Sequence, residues 1–469
     1  MSQYTVSRRS FLMTGAALGL GACASLPPTS AAGPWRHAQD ISRSVTSPRF
    51  PARRMAITDF GAVGDGATKN TEAFAKTIKS CANAGGGHVV VPAGRYLTGP
   101  IHLASNINLH VEEGAVILFS TDPADYPLAY TRYEGVELWN YSPLIYARGA
   151  QNVAVTGAGL LDGQASNDHW WPWCGAERFG WEEGIGSQSA DRRALFHMAE
   201  EGVPVEDRVF GRGHYLRPSF IEFYDCDNAL VEGVRVHNSP CWNIHPVMSR
   251  NVIVRNVSVL GHGPNNDGCN PESVDGMLIE GCTFDTGDDC IAIKSGRNAD
   301  GRRIATPAKN ILIRNCTMKA GHGGVVIGSE ISGGVHHVFA ENCYMSSPDL
   351  WYALRFKNNA MRGGVVEDIH FRDIEVGQVG RAAITCDFNY EEGGNGPYIP
   401  VLRNLTIERL RVEKAGRVLD VQGLPGAPVH NITLRDCSFN GVHEESIISH
   451  TERLSIQNVR VNGQSVSKM

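Results

Sequence analysis

The chain has 469 residues, of which 42% are hydrophobic and 20% are charged, so it can bury a large core. Length alone predicts about three domains, although internal repeats override that prior. A net charge of −6 excludes the basic balance of a nucleic-acid-binding protein and any general attraction for a polyanion. An acidic substrate must therefore be held by local arginine or lysine side chains, and we expect no nucleic-acid partner.

The N-terminus carries a targeting pattern before any folded element. The run SRRSFL at residues 7–12 precedes an apolar segment, rich in glycine and alanine, that ends near Leu26. This pattern resembles a bacterial twin-arginine export signal. The alternative is a short membrane anchor, but the apolar run is below the roughly 20 residues that span a bilayer. We therefore interpret residues 1–33 as an export signal.

A possible lipid anchor lies within this signal. The tetrapeptide at residues 20–23, Leu-Gly-Ala-Cys, resembles a lipoprotein cleavage box, which would make Cys23 the acylated first residue of the mature chain. Ordinary cleavage near Ala32 would discard Cys23 instead. We favour lipidation, which predicts a periplasmic protein or a lipoprotein held at the outer membrane. Residues 24–52 would then be a flexible tether, and we interpret residues 34–55 as a linker before the main fold.

A cap precedes the main fold. From Ile57 the sequence predicts a short strand and a glycine-rich turn, followed by a helix that Asn70 can cap and that the three glycines at residues 85–87 end. Alternating segments follow up to Phe119. We interpret the helix as covering the open end of a stack of strands, whose unpaired edge would otherwise invite aggregation.

The strongest signal of organisation is an internal repeat. Each copy is a strand of period-2 apolar residues, a polar kink and a second short strand, and copies recur roughly every 23 to 36 residues. Copies begin at or near Asn228, Asn251, Asn310, Asp368, Asn404 and Asn431. One unit cannot bury its own apolar face, whereas stacked units form a continuous core. The repeats predict an all-β, right-handed, single-stranded parallel β-helix over residues 56–469, with coils about 4.8 Å apart.

The cysteines fit this interpretation. Twelve cysteines less Cys23 leave eleven, so in a monomer at least one thiol stays unpaired. Folding before twin-arginine export would expose the thiols to a reducing cytosol, so the sequence predicts no disulfide framework. Cys282, Cys316, Cys343 and Cys437 occupy the same place in four copies, which predicts stacked positions in the core.

Residues 164–217 break the repeat. The segment contains four tryptophans and several charged clusters, and we interpret it as an insertion beside a cleft. Its tryptophans either stack on sugar rings or pack the insertion onto the scaffold, and the sequence leaves both alternatives open.

Three carboxylates stand out within the repeats. Asp267 precedes Asp288 by about one coil, so the two are predicted to stack, and Asp289 is adjacent at the entrance of an alternating strand. Consecutive strand residues point to opposite faces, so both Asp288 and Asp289 can face one cleft only if the backbone bends, which Gly287 would permit. Crowding predicts a raised pKa for at least one of the acids. Such a trio suits glycosidic hydrolysis, and it suits a Ca²⁺ site equally well.

Cationic groups follow in the next coils. His322 lies between glycines, and Arg355 and Lys357 are predicted to share one face of a strand, with Phe356 between them. Arginine suits bidentate recognition of a carboxylate. Alone, His322 would more often be structural and Arg355 a solvated charge. Together, beyond the acids, they indicate an anionic substrate.

The ordered motifs identify a family. Asn265-Asn266-Asp267, Gly287-Asp288-Asp289, Gly321-His322-Gly323 and Arg355-Phe356-Lys357 resemble the Asn-Thr-Asp, Gly-Asp-Asp, Gly-His-Gly and Arg-Ile-Lys motifs of glycoside hydrolase family 28, the polygalacturonases and their relatives. The resemblance extends from about Ile57 to the C-terminus. It includes Leu216-Arg217-Pro218 and Ser239-Pro240-Cys241-Trp242. Asn266 and Phe356 depart from the family pattern but keep the polar or apolar character of their positions.

The resemblance implies an inverting hydrolase acting on α-1,4-linked galacturonate in pectin. Asp288 would match the general acid, and Asp267 with Asp289 the pair that activates water. His322 would orient the acid's surroundings, and Arg355 and Lys357 would hold a substrate carboxylate. No cofactor, metal ligand or protein partner is implied, and we expect a monomer.

The resemblance also bears on substrate and cleavage mode. The Arg-x-Lys pair favours galacturonan over rhamnogalacturonan, and the insertion at residues 164–217 favours exo action. A Ca²⁺-dependent pectate lyase, a rhamnogalacturonan-type hydrolase and a non-catalytic polysaccharide-binding β-helix are the competing interpretations.

Overall fold

A computed structural model describes residues 33–469 of the chain. The twin-arginine run, the cleavage box and Cys23 lie outside the described residues. Within residues 33–469 no helix combines the length and apolar character needed to cross a bilayer.

The strands form three long sheets that run side by side along one axis. Sheet A has thirteen strands in sequential order. They are Arg54–Ala56, Gly87–Val91, Ile107–Val111, Gln151–Gly157, Asp227–Glu232, Arg250–Arg255, Asp275–Glu280, Ala308–Arg314, Val335–Glu341, Val365–Arg372, Val401–Glu408, Val429–Arg435 and Thr451–Gln457.

Sheet B has fourteen strands, all parallel except the last. They are Asp65–Lys69, Gly94–Thr98, Ala115–Phe119, Leu160–Asp162, Arg235–His237, Ser258–Gly261, Thr283–Thr286, Thr317–Met318, Tyr344–Ser346, Glu375–Gln378, Arg411–Val412, Ser438–Phe439, Val459–Val461 and Gln464–Val466.

Sheet C consists of two runs of strands joined by single bridges through Cys269 and Glu272. The first run is Ile101–His102, Ile145–Arg148, Ile221–Tyr224 and Ile244–Val247, and the second is Ile291–Ile293, Val325–Ile327, Tyr352–Lys357, Ala382–Asp387, Arg417–Gln422 and Ile447–Ser449. An antiparallel hairpin, Leu128–Tyr133 with Val136–Tyr141, lies outside the three sheets.

Each coil passes through the sheets in turn, and inward side chains form one continuous core. In the strand Arg250–Arg255, Val252 and Val254 point into that core while Ile253 faces outward, as the period of two requires. The right-handed parallel β-helix predicted from the repeats is confirmed. Residues 33–469 also contain four α-helices and five short 3-10 helices. These are α1 (Trp35–Ser44), α2 (Thr71–Asn83), α3 (Gln188–Glu200) and α4 (Asn298–Ile304), with 3-10 turns at Ile57–Phe60, Pro123–Asp125, Trp171–Cys174, Glu177–Phe179 and Val205–Asp207.

Helix α1 corrects one interpretation of the sequence. It lies within residues 34–55, which the sequence analysis interprets as a linker, and its Ala38 and Ile41 are buried against an outward apolar row of sheet A that includes Ile253. The interpretation as a flexible tether is therefore wrong for this helix. The composition, rich in proline, serine and alanine, is typical of linkers. The segment nevertheless forms an amphipathic helix, because its apolar side packs against the apolar surface of sheet A.

Helix α2 covers the N-terminal end of the coil stack, as predicted. Phe74 and Ile78 are buried in the main core. Asn70 does not cap the helix with its side chain. Its amide bonds instead to the backbone of Val63 and Thr68, which fixes the turn before the helix.

Asparagines form a ladder at the start of the repeats. Asn152, Asn228 and Asn251 have left-handed backbones with φ of 53°, 65° and 54°. The side chain of Asn251 donates to that of Asn228 at 2.8 Å, and Asn228 donates to Asn152. Asparagine tolerates the left-handed region and bonds its neighbours in the stack, which explains why so many copies begin with it.

The stacked cysteines are confirmed as core residues. Cys282, Cys316, Cys343 and Cys437 are buried, and the eleven cysteines of residues 33–469 are free thiols.

The asparagine ladder leads to a prediction of stability. Asn228→Ala loses two side-chain hydrogen bonds, each worth about 1 kcal/mol, and forces alanine into the left-handed region at a further cost of about 1 kcal/mol. We expect the free energy of unfolding to fall by about 2–3 kcal/mol, measured by urea denaturation. Asn228→Gly is the matched control because it loses the same bonds without the backbone penalty. Equal destabilisation by the two variants would contradict the role given to the left-handed backbone.

Candidate active site

The three predicted acids meet at one turn between sheets B and C. Asp288 and Asp289 lie between the strands Thr283–Thr286 and Ile291–Ile293, and Asp267 lies one coil earlier. One carboxylate oxygen from each acid lies within 4.8 Å of the others. The stacking predicted from the sequence spacing is confirmed.

Gly287 starts the bend that turns both adjacent acids toward the cleft. A Cβ built on Gly287 would lie 2.4 Å from the carbonyl oxygen of Gly263 in the preceding coil. The backbone bends here as predicted. Glycine is required at this position because the two coils approach each other closely. The φ of Gly287 is not in the left-handed region, so backbone conformation is not the reason.

Asp288 is paired with His322. The imidazole Nδ1 lies 2.9 Å from Asp288 Oδ1, and the ring is stacked on Trp351 at 3.9 Å between centroids. Burial raises the pKa of Asp288, but the hydrogen bond and charge of His322 outweigh it and lower the pKa to about 2. Asp288 is also the acid most open to the cleft, with 19% of its side chain exposed.

Asp267 has the opposite environment. It is buried and accepts a hydrogen bond of 2.7 Å from Asn270. Burial, followed by the negative charge of Asp288, raises the pKa of Asp267 well above its usual range. The raised pKa predicted for one of the three acids thus falls on Asp267.

Asp289 is held by the two predicted cations. Lys357 Nζ lies 2.7 Å from Asp289 Oδ2, and an Arg355 nitrogen lies 3.5 Å from Oδ1. Both cations project from one face of the strand Tyr352–Lys357, while Phe356 between them is buried. The structure thus places all six predicted site residues of the described chain in one cluster.

Residues that the sequence analysis did not assign complete the site. Lys294 lies 3.8 Å from Asp267 and 3.0 Å from Glu330, and its ammonium lies 4.6 Å from the centre of the Trp242 ring. Tyr390 lies beside Arg355 and Lys357. Lys294 ends the alternating strand after the acids, and Trp242 lies in a family motif, so both carried a sequence signal. Glu330 and Tyr390 carried none, because only the coil register brings them here.

Each acid therefore has a protein cation near it. Three clustered carboxylates also match the donor set of a Ca²⁺ site. Here Lys294 and Lys357 supply positive charge to such a cluster, and His322 contacts its third acid, Asp288. The arrangement is suited to holding and transferring protons, because the acids differ in exposure and partners.

The insertion forms part of the wall of the cleft, which has a volume of about 460 Å³. Arg192 of α3 contacts Glu134 at the tip of the hairpin through two guanidinium nitrogens, and it lies 3.7 Å from Glu391. Three segments distant in sequence thus meet in one wall, which no local pattern indicates. Gln188, Ser189 and Arg193 line the cleft beside this wall.

Two tryptophans of the insertion, Trp170 and Trp171, pack onto the scaffold. Trp170 is buried and contacts Trp173 and Tyr141 edge to face, while Trp171 donates a hydrogen bond to the Ser239 carbonyl. These contacts favour the packing alternative over sugar stacking for Trp170 and Trp171.

Comparisons with known proteins agree with the motifs. Residues 212–465 match the family "Glycosyl hydrolases family 28", and residues 55–114 match "Rhamnogalacturonase A/epimerase, pectate lyase-like". The chain is 29% identical over 405 residues to a probable polygalacturonase of Vitis vinifera, covering 83% of this chain and 74% of the relative. It is 27% identical over 389 residues to an exo-poly-alpha-D-galacturonosidase of Dickeya chrysanthemi, covering 77% of this chain and 61% of the relative.

Solved structures give a stronger likeness. The chain is 47% identical to a hyperthermoactive exopolygalacturonase from Thermotoga maritima, with a TM-score of 0.89 over 92% of this chain and 96% of the other. A polygalacturonase from Erwinia carotovora, at 20% identity and a TM-score of 0.63 over 90% of this chain and 99% of the other, shares the fold.

The opposite pKa shifts of Asp267 and Asp288 predict opposite effects on stability. The pKa of Asp267 is higher in the folded protein than in the unfolded chain, where it is about 4. The free energy of unfolding of the wild type therefore falls as the pH rises from about 4 towards the pKa in the folded protein. Asp267→Asn removes this loss, so we expect a higher melting temperature than wild type at pH 7 and no gain near pH 3. Calorimetry between pH 3 and pH 8 measures the difference.

Asp288→Asn is the matched comparison. The lowered pKa of Asp288 contributes stability above about pH 4 that is lost as pH falls towards 2. We expect this variant to be less stable than wild type at pH 7. An Asp267→Asn protein that melts below wild type at pH 7 would contradict the environment described for Asp267.

Proposed function

The chain belongs to glycosyl hydrolase family 28, and on that premise we propose that it is an exo-acting polygalacturonase. It hydrolyses α-1,4-galacturonosidic bonds of pectic polysaccharide or oligogalacturonate and releases residues from a chain end. The observation that carries the proposal is the cluster of Asp267, Asp288 and Asp289 at one cleft, with Arg355 and Lys357 beside it.

Asp288 acts as the general acid in this proposal. It is the most exposed of the three acids, so it can reach a glycosidic oxygen bound in the cleft. Its nearest oxygen lies within 4.8 Å of Asp267, whose raised pKa favours its protonated form. The proton of Asp267 passes to Asp288, and the glycosidic oxygen takes it from Asp288 as its bond to the anomeric carbon breaks. Asp267 is left ionised and regains a proton from the attacking water. His322 orients Asp288 through the 2.9 Å contact.

Asp267 and Asp289 activate water. Once Asp267 is ionised, the two carboxylates can accept hydrogen bonds from one water molecule and take its proton. Asp289 Oδ1 accepts no hydrogen bond from the residues of the described chain, so it is available to a water. We propose inversion on the family resemblance. The short separations between acids lie nearer the spacing of retaining enzymes, so NMR of the first anomer released is the direct test.

Arg355 and Lys357 hold the substrate carboxylate. The protein carries a net charge of −6, so an anionic substrate is attracted only where cations are local. Both cations already contact Asp289, so a bound carboxylate shares them with the acid. This arrangement couples binding of a galacturonate ring to the position of Asp289.

The wall made by α3, the hairpin and the loop at Glu391 supports exo action. It closes one end of the cleft next to the acids, so a polymer can enter only from the other end. An endo-acting enzyme needs a cleft open at both ends.

Export and lipidation are proposed from the N-terminal sequence. The twin-arginine run carries the protein across the membrane, and Cys23 is acylated, so the enzyme is a periplasmic protein or an outer-membrane lipoprotein. We propose that it is a monomer. Cys23→Ser would then release the protein from the membrane fraction, and light scattering would give the mass of one chain. A wild-type protein that is soluble and carries no acyl chain would instead favour cleavage of the signal near Ala32.

Removal of the proposed acid gives the first functional prediction. We expect Asp288→Asn to lower the release of reducing ends from polygalacturonate by about 10²–10⁴-fold, because general acid catalysis contributes that much. Asp285→Asn is the matched control, since Asp285 lies on the same coil and pairs with His262 on the outer face. Circular dichroism should be unchanged in both. Full activity of Asp288→Asn would remove Asp288 from the role.

The product profile separates the competing functions. The proposal predicts saturated galacturonic acid as the first product on chromatography. Unsaturated products with loss of activity on chelation would indicate a lyase. Cleavage of rhamnogalacturonan but not of polygalacturonate would indicate a rhamnogalacturonan-type hydrolase. Tight binding of oligogalacturonate with no change in its length would indicate a binding protein.

The wall gives a second functional prediction. Arg192→Ala removes the two-point contact with Glu134 and loosens the closed end. We expect oligomers among the early products of polygalacturonate, where wild type gives monomer. Arg178→Ala, an exposed arginine of the same insertion, is the control. An unchanged monomer profile for Arg192→Ala would show that this contact does not close the cleft.

A further inference from the structure

A stack of side chains leads away from the acids along the β-helix axis. His322, next to Asp288, is stacked on Trp351 at 3.9 Å with 19° between the ring planes. The guanidinium of Arg381 lies 4.0 Å from the centre of the same indole ring. His322, Trp351 and Arg381 come from three successive turns between sheets B and C, so Arg381 lies about 14 Å along the axis from Asp288.

Arg381 is held in place without using its hydrogen-bond donors. Its backbone N–H donates to the carbonyl of Trp351, and its guanidinium is fixed over the ring by a cation–π contact. Between residues 33 and 469 no carboxylate lies within ion-pair distance of this guanidinium, and it donates no side-chain hydrogen bond. An exposed arginine with a fixed plane and free donors is prepared to bind a carboxylate.

The floor of sheet C becomes acidic beyond the site. After Arg355 and Lys357, the next strands present Asp387 opposite Lys357, and then Asp420. These acids repel a polyanion from the floor. The edge between sheets B and C carries exposed groups of both signs, Asp349, Glu413 and Lys414, and among them Arg381 presents a cation that has no ion partner in residues 33–469.

The wall made by α3, the hairpin and the loop at Glu391 lies across sheet C from Arg381, because Arg381 precedes the strand Ala382–Asp387 and Glu391 follows it. An exo-acting enzyme that holds a terminal residue against this wall must support the remaining chain on the side without a wall, where Arg381 lies.

We propose that Arg381, mounted on Trp351, binds the carboxylate of a galacturonate residue in the part of the polymer beyond the cleaved bond. The proposal rests on the proposed function and extends it. Arg381 is a specificity-determining residue that makes the enzyme prefer longer chains. The site takes a carboxylated sugar, and it takes part in no proton transfer.

The test is the dependence of kcat/KM on substrate length. Digalacturonate occupies only the positions beside the acids and does not reach Arg381. Tetra- and pentagalacturonate do reach it. We expect Arg381→Ala to lower kcat/KM for the longer substrates by about tenfold, as loss of one charge-assisted contact predicts, and to change it for digalacturonate by less than about twofold. Arg381→Lys should keep part of the preference, and Arg381→Gln should lose it.

Arg148→Ala is the matched control. Arg148 is also exposed, also stacks at 4.0 Å from an aromatic ring, that of Tyr130, and does not line the cleft. We expect it to behave as wild type at every length, and melting temperatures of all variants to agree within about 2 °C.

The outcomes separate the two proposals. An active wild type with equal effects of Arg381→Ala at every length, or with none, overturns the inference and leaves the proposed function intact. A wild type that releases no galacturonic acid from any substrate overturns the proposed function itself.

Discussion

The functional site depends on the register in which each coil hydrogen-bonds to the next. Sequence positions that correspond between coils are forced into columns about 4.8 Å apart. One column holds the asparagine ladder and another the core cysteines. A third, at the turns between sheets B and C, holds Asp288, His322, Trp351 and Arg381. A slip of one residue in any coil would turn these side chains to the other face of the sheet and dismantle the site.

Such columns place like charges close together, and the site uses this. Asp267, Asp288 and Asp289 could not share a buried turn without compensation, so Lys294, His322 and Lys357 each come within contact of one acid. The compensation is uneven. Asp267 is left with a raised pKa while Asp288 is held ionised by His322. Differences in partner, rather than in residue type, divide the labour among three identical side chains.

The segments that do not follow the repeat decide how a polymer is handled. The coils alone make an open groove along the β-helix. Helix α3, the hairpin and the loop at Glu391 form a wall beside it through the contacts of Arg192. Beyond the acids the floor turns acidic at Asp387, while Arg381 offers an exposed cation at the edge. The insertion and the column of aromatic and charged side chains thus make the two sides of the groove different for a bound polymer, although the scaffold itself is repetitive.

The sequence by itself determined the repeat, the β-helix and six clustered site residues, because period-2 strands and a fixed coil length convert spacing into stacking. The sequence also led to the wrong interpretation of helix α1 as a linker, because the apolar face of this helix is stabilised only by its contact with sheet A. Only the tertiary structure decided that the raised pKa belongs to Asp267, that Glu330 and Tyr390 enter the site, and that Arg192 joins three segments into one wall of the cleft. These facts depend on distances between segments far apart in sequence, which local patterns do not encode.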